Sequence, residues 1–234
     1  LSDFLQSFYH HNRPTLFLCG QVSDSFIKEL RDWSGKFPAE QKKSRSELEE
    51  QEVGAVHQEQ EGAIQSAIRI GRRMFDKNHP DYFPFQLLNT VLGGYFGSRL
   101  MANIREDKGY TYGIGSGLAV LEDASYFFVS TEVGVDVRTN AIEEVFNEIE
   151  RLQNEVMPEG EIDRVKNYMY GEFLRQSDGP LAMMECFKNI YFNRLSRSYY
   201  NDFFHVLQKT TSEDLQLLAK KYLKKEDMMI VSVG

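Results

Sequence analysis

The chain has little of what would mark a disulfide scaffold, a nucleic-acid binder or a membrane protein. Two cysteines, Cys19 and Cys186, stand far apart and form no metal-type spacing. That excludes a disulfide-dense module and a zinc finger, and both are expected as small buried hydrophobes, with a single bridge between them left open. Positive charge is scarce: 27 Lys and Arg face 35 Asp and Glu, for a net charge of -8. Such a surface repels polyanions, so no nucleic-acid partner is expected. No apolar run approaches the roughly 20 residues that span a bilayer, and no basic-then-apolar leader opens the chain, so no membrane insertion is expected. Because the chain opens on Leu1, the missing leader leaves the compartment of any parent protein undetermined.

Hydrolytic motifs are also missing. The histidines are His10, His11, His57, His79 and His205, and none has a second histidine one helical turn away with a glutamate between them, in either order. His57 precedes Glu59 and Glu61, but alternation along a strand does not converge such groups, which read as a solvated strand edge. There is no Gly-x-Ser-x-Gly elbow, no Walker loop and no Cys/His dyad. The Gly-rich run Leu92–Ser98 lacks the lysine and preceding strand of a phosphate cradle and reads as a helix-to-helix turn.

What is present suits a sizeable core, since 41% of the 234 residues are hydrophobic. The opening, 1–37, reads as helix, strand and helix, with Leu16-Phe17-Leu18-Cys19 a short buried strand and Phe26, Leu30 and Trp33 a helical stripe. A charged, polar run follows from Ala39. Ala63–Gly71 predicts a strand with Ile64, Ile68 and Ile70 on one face. A helix is expected from Pro80 to Gly93-Gly94, and a second from an N-cap at Ser98 to a left-handed cap at Gly109. Thr111–Val120 alternates with period two, setting Tyr112, Ile114, Ser116, Leu118 and Val120 against an almost bare face of Gly113, Gly115 and Gly117. Ser125–Val133 pairs with it around Glu122-Asp123. Helices then dominate, with one stripe of Ala141, Val145, Ile149 and Leu152, before a last strand at Met228–Val233. The expected class is α+β: two layers, a largely antiparallel sheet with helices on one face.

The beginning and the end echo each other. Ser2-Asp3-Phe4 through Leu16–Gly20 and Ser212-Glu213-Asp214 through Ile230–Gly234 are both helix, link, strand and glycine. Duplication would make 1–38 the tail of a preceding homologous domain, 39–55 a charged linker and 56–234 a second domain; equally, any two helix-strand units look alike over so short a span.

One stretch is more specific. Leu87-Leu88-Asn89-Thr90-Val91-Leu92-Gly93-Gly94, then Ser98-Arg99-Leu100, then Ile104-Arg105-Glu106-Asp107-Lys108-Gly109-Tyr110-Thr111-Tyr112 closely resembles the C-terminal, non-zinc-binding domain of the pitrilysin, insulinase and mitochondrial-processing-peptidase family. The resemblance runs from about Val56 to Gly234. It implies the processing-peptidase-like metallohydrolase fold and a clamshell in which a homologous domain, on the same chain or a partner subunit, holds zinc through an inverted His-x-x-Glu-His helix. This chain would carry no metal and would close over a peptide substrate. It also implies that Arg105 and Tyr112, at the family's spacing, complete the site, with Gly113 and Gly115 leaving room for peptide and Tyr110 the rival for the phenol's part. The residues alone allow plainer readings: Arg105 as a cation in a helix's last turn, Tyr112 as a core side chain of its strand. A non-catalytic scaffold of the same fold, as in core subunits of some respiratory complexes, is the alternative function.

Overall fold

The computed structural model describes residues 1–9, 14–37, 50–121 and 124–234. Its helices are α1 Ser2–Phe4, α2 Asp24–Ser34, α3 Tyr82–Asn89, α4 Arg138–Asn154, α5 Glu159–Gln176, α6 Pro180–Phe192, α7 Tyr199–Lys209 and α8 Ser212–Tyr222. Its strands are β1 Gly54–Gln58, β2 Gln65–Met74, β3 Ile114–Val120, β4 Ser125–Gly134 and β5 Met229–Val233. Compactness divides the chain into two units, one of Leu48–Glu172 with Leu195–Gly234, the other of Leu1–Glu47 with Phe173–Arg194. The division 1–38, 39–55 and 56–234 concerns ancestry and is a separate matter. Most of the expected linker, 39–49, lies outside the described residues, and its last two residues open β1.

The larger unit holds a five-stranded sheet in the order β1-β5-β2-β4-β3, antiparallel except for β1 beside β5. The expected two-layer α+β architecture is what forms. Pairing sets Ile68 opposite Thr131 and Ile70 opposite Val129, all buried, so these residues share the face that the helices cover. Arg69, Ser130, Tyr126 and Phe128 alternate onto the other face. Phe85 of α3 packs edge-on to Phe127 of β4 and to Tyr222 of α8, each at 5.8 Å between ring centres, which ties two helices to the sheet. The α4 stripe Ala141, Val145, Ile149 and Leu152 is buried as its spacing requires. Two expectations fail at the start of β2: the strand begins at Gln65, and Ile64, just before it, is 84% exposed. The turn at Glu122-Asp123 lies outside the described residues, but β3 and β4 pair on either side of it.

The smaller unit contains α1, α2 and α6, none with a fully buried residue. Ser23 caps α2, its hydroxyl accepting from the Phe26 N–H at 3.3 Å. The strand expected at Leu16–Cys19 does not form: no ladder partner pairs with it among the described residues, and Leu16 and Leu18 are exposed. Phe17 is held by rings instead, edge-on to Tyr191 at 5.5 Å and Phe187 at 6.1 Å. Cys19 and Cys186 are half-buried, against the expectation of full burial, and neither is in a disulfide.

Candidate functional site

Everything the resemblance singles out lies on one run of chain, from α3 to β3. After α3 the helix widens into a π-helical turn, Thr90–Gly94, and leaves it through an extended Tyr95. The turn is pressed against β3, for a Cβ placed on Gly93 would stand 2.6 Å from the Ser116 hydroxyl oxygen and 2.7 Å from its backbone nitrogen. Asn89 completes the join by donating from its amide to the Ser116 carbonyl at 3.3 Å. Glycine at 93 is a condition of that approach.

A tight turn follows, closed by the Ser98 N–H to the Tyr95 carbonyl at 3.1 Å. It puts Phe96 at its tip, 66% exposed. The helix that begins beyond it becomes π-helical over Met101–Asp107, with Leu100, Met101 and Ile104 buried. Ser98 does not cap it by side chain: its carbonyl accepts from the Ala102 N–H, while its hydroxyl is buried without a partner. Gly109, at φ 65°, ends the helix in left-handed conformation, and the Tyr110 N–H returns to the Ile104 carbonyl at 3.0 Å.

Polar contacts staple this helix to its neighbours. Arg99 meets Glu161 of α5 through two bonds, 2.9 and 2.8 Å. Burial works against the Arg99 charge, but the Glu161 carboxylate outweighs it and holds the proton more firmly than usual. Asn103 donates to Glu144 at 3.0 Å and to Glu148 at 2.7 Å, both on α4. The Asn103 amide, ahead of Lys108, keeps the Glu144 carboxyl below the ordinary carboxylate range against the opposing effect of burial. Glu148 is 3% exposed and also receives Arg151 at 3.1 Å, so its charge is compensated.

Arg105 projects from the last turn of this helix with its side chain 35% exposed. Its guanidinium carbon lies 4.7 Å from the centre of the Phe96 ring, and Glu106 stands 3.8 Å away. Tyr110 is half-buried within the cap. Thr111 then delays the strand, because its hydroxyl accepts from the Gly113 N–H at 3.1 Å and also lies 2.7 Å from the Glu132 carbonyl and 3.1 Å from the Thr131 hydroxyl. Tyr112 therefore stands on a pinned turn before β3, not in the strand as its alternation suggested. Its side chain is 95% exposed, and its phenol makes no hydrogen bond among the described residues. A core role for Tyr112 is thereby excluded.

Tyr112 and Gly113 line a cavity of about 250 Å³ with Gln65, Arg69, Thr111, Ser130, Thr131 and Glu132. Arg105 is not part of that lining. The bare glycines differ: Gly113 has open space where a Cβ would sit, Gly115 backs onto the Gly93 carbonyl at 3.4 Å, and Gly117 lies under the Phe128 ring. Sequence reasoning missed Phe96 and Asn103, whose partners lie across a turn or on another element, and read Thr111 only as a strand residue. Arg99 stood within the quoted motif but had no role attached. Among the described residues, no group of three His, Cys, Asp or Glu side chains is placed to hold a metal ion.

Comparison with known proteins bears on the family and the fold. The chain is 26% identical over 184 residues to the uncharacterized zinc protease YmxG of Bacillus subtilis, covering 79% of this chain and 45% of that protein. A peptidase M16 inactive domain from Pseudomonas fluorescens shares 26% identity with a TM-score of 0.77, over 91% of this chain and 52% of that one. A protease from Helicobacter pylori matches at 17% identity with a TM-score of 0.78, over 92% and 54%, and supports the fold alone. The chain thus spans about half the length of these relatives. The family model described as the peptidase M16 inactive domain matches residues 1–169, and with most of its length so covered the chain belongs to that family.

Proposed function

We propose that this chain is the substrate-closing lobe of a zinc endopeptidase, working with a homologous zinc-bearing domain on the same polypeptide or on a partner subunit. The observation that carries the reading is Tyr112: a phenol held on a hydrogen-bonded turn, 95% exposed and unpartnered among the described residues. An exposed tyrosine on a mobile tail would have no such meaning. In this reading Tyr112 donates its O–H to the scissile carbonyl oxygen as negative charge develops there. Arg105 offers its planar N–H fork to peptide carbonyl groups and so fixes the substrate's register. Gly113 leaves backbone open beside the phenol for an extended peptide, while Gly115 serves mainly the Gly93 approach. Tyr110, half-buried in the helix cap, is the weaker candidate for the phenol's part.

Among the described residues no group of side chains fits zinc, so this reading assigns the metal to the other domain, where it would polarise the scissile carbonyl and activate water. The inactive label of the family agrees with that division. Duplication, with 1–38 closing a preceding copy, would put the zinc domain on the same polypeptide.

The test is steady-state hydrolysis of a quenched-fluorescence peptide by the parent enzyme with both domains and zinc. Tyr112→Phe is expected to lower kcat by about 100-fold with KM little changed, the usual cost of one oxyanion donor. Arg105→Ala is expected to raise KM, since anchoring acts on substrate and transition state alike. A double variant as active as the parent would end the catalytic reading and leave a scaffold role.

A further inference from the structure

The Phe96 ring is an expensive surface feature without an obvious purpose. A phenylalanine two-thirds exposed at a turn tip contributes little to folding, and smaller polar residues suit such a place better. The turn that bears it is nonetheless firmly built. Tyr95 packs against Tyr168 at 4.8 Å between ring centres, the rings tilted by 34°, and its own ring runs so close to Gly97 that a Cβ there would lie 2.8 Å away. Ser98 is completely buried, and its N–H closes the turn on the Tyr95 carbonyl. Residues on both sides of Phe96 are thus anchored, and the ring is displayed from a rigid support.

What lies on that ring is the Arg105 guanidinium, 4.7 Å from its centre. Its ion pair among the described residues is with the exposed Glu106 at 3.8 Å, too loose a contact to orient a planar cation. A stacked aromatic face does orient one, because the ring's negative face attracts the guanidinium plane and leaves the N–H fork pointing outward.

We propose that Phe96 is a positioning residue for Arg105, a fixed platform that aims the guanidinium fork at the backbone carbonyl groups of a bound peptide. The inference rests on the reading of Arg105 as a substrate anchor and adds what holds that anchor in place. Phe96 acts through Arg105 and leaves Tyr112 untouched, so its removal alters binding and spares the chemical step.

The experiment is a double-mutant cycle in the parent peptidase with zinc, read as KM and kcat on one quenched peptide, with thermal midpoints as a folding control. Phe96→Leu, which keeps apolar bulk and removes the ring face, is expected to raise KM by about two- to fivefold with kcat unchanged. Phe96→Trp, which keeps a face for the cation, is expected to restore the parental KM. In an Arg105→Ala background, Phe96→Leu should have no further effect. An equal rise in KM in both backgrounds overturns the proposal, for the ring would then meet the peptide itself. An unchanged KM in Phe96→Leu overturns it as well. If Arg105→Ala alone leaves KM unchanged, the anchor reading fails first and the platform fails with it, which tells the two failures apart.

Discussion

Gly93 and Gly113 look alike in sequence, each a glycine beside an aromatic or aliphatic run, yet the structure asks different things of them. At Gly93 any side chain would meet Ser116 and the Leu100 methyl at 2.9 Å or less, while at Gly113 nothing lies within 4 Å. Gly93→Ala is expected to destabilise the fold by about 1–3 kcal/mol, the range for overfilling a packed contact. Gly113→Ala should stay within about 0.5 kcal/mol of the parent, as surface changes do. Urea denaturation of both variants checks this, and equal midpoints would refute the close approach. The helix stop at Gly93-Gly94 was legible from the residues, but not its cause, which lies on a strand more than 20 positions later. Tyr112 was legible as a candidate only through family resemblance. Its exposure was not, because a threonine hydroxyl that substitutes for ladder bonds leaves no mark in hydrophobic alternation.

Among the elements, those with long and regular apolar stripes were read well. The α4 stripe holds residue for residue, and α8 begins at a reciprocal cap in which the Asp214 N–H meets the Thr211 hydroxyl and the Thr211 N–H meets the Asp214 carboxylate. Leu16–Cys19 was misread because a four-residue apolar run has no period of its own, and here rings rather than strands receive it. The link between α8 and the start of α3 was invisible in the sequence. There the Tyr222 phenol and the Lys221 ammonium both donate to Asp81, at 2.6 and 2.8 Å. Burial raises the Asp81 carboxyl, but these donors prevail and hold it below its ordinary range. A depressed carboxylate contributes stability that is complete above its unfolded value, near 3.9, and is lost as pH falls through the folded one. Asp81→Asn should therefore cost about 1–2 kcal/mol at neutral pH, mostly through the phenol's bond to a charged acceptor. The gap between variant and parent should close below about pH 4. A gap that stays constant to pH 2 would show that Asp81 is not the group responsible.

At the scale of the molecule, the two units differ in how much they bury. β4 alternates buried residues along its whole length and β2 does so over its first half, whereas α2 and α6 contain none. Local opening follows buried contact, so the amides of α2 and α6 are expected to exchange with deuterium well before those of β2 and β4. Uniform protection across both sets would contradict this. The α+β class and the antiparallel hairpin of β3 and β4 were legible, since both rest on local period and turn signals. The strand order was not, because nothing near Gly54 announces a partner at the other end of the chain.

That order has a bearing on how the protein is made. β5 sits between β1 and β2, and the residues that join His57 to Ser232 are 175 positions apart. Until β5 has left the ribosome, β1 lacks the strand it pairs with among the described residues, and β2 shows a bare rim to whatever else is in the cell. The nascent molecule must wait with a slot in its sheet, the stage at which a chaperone or a stray strand could most readily intervene.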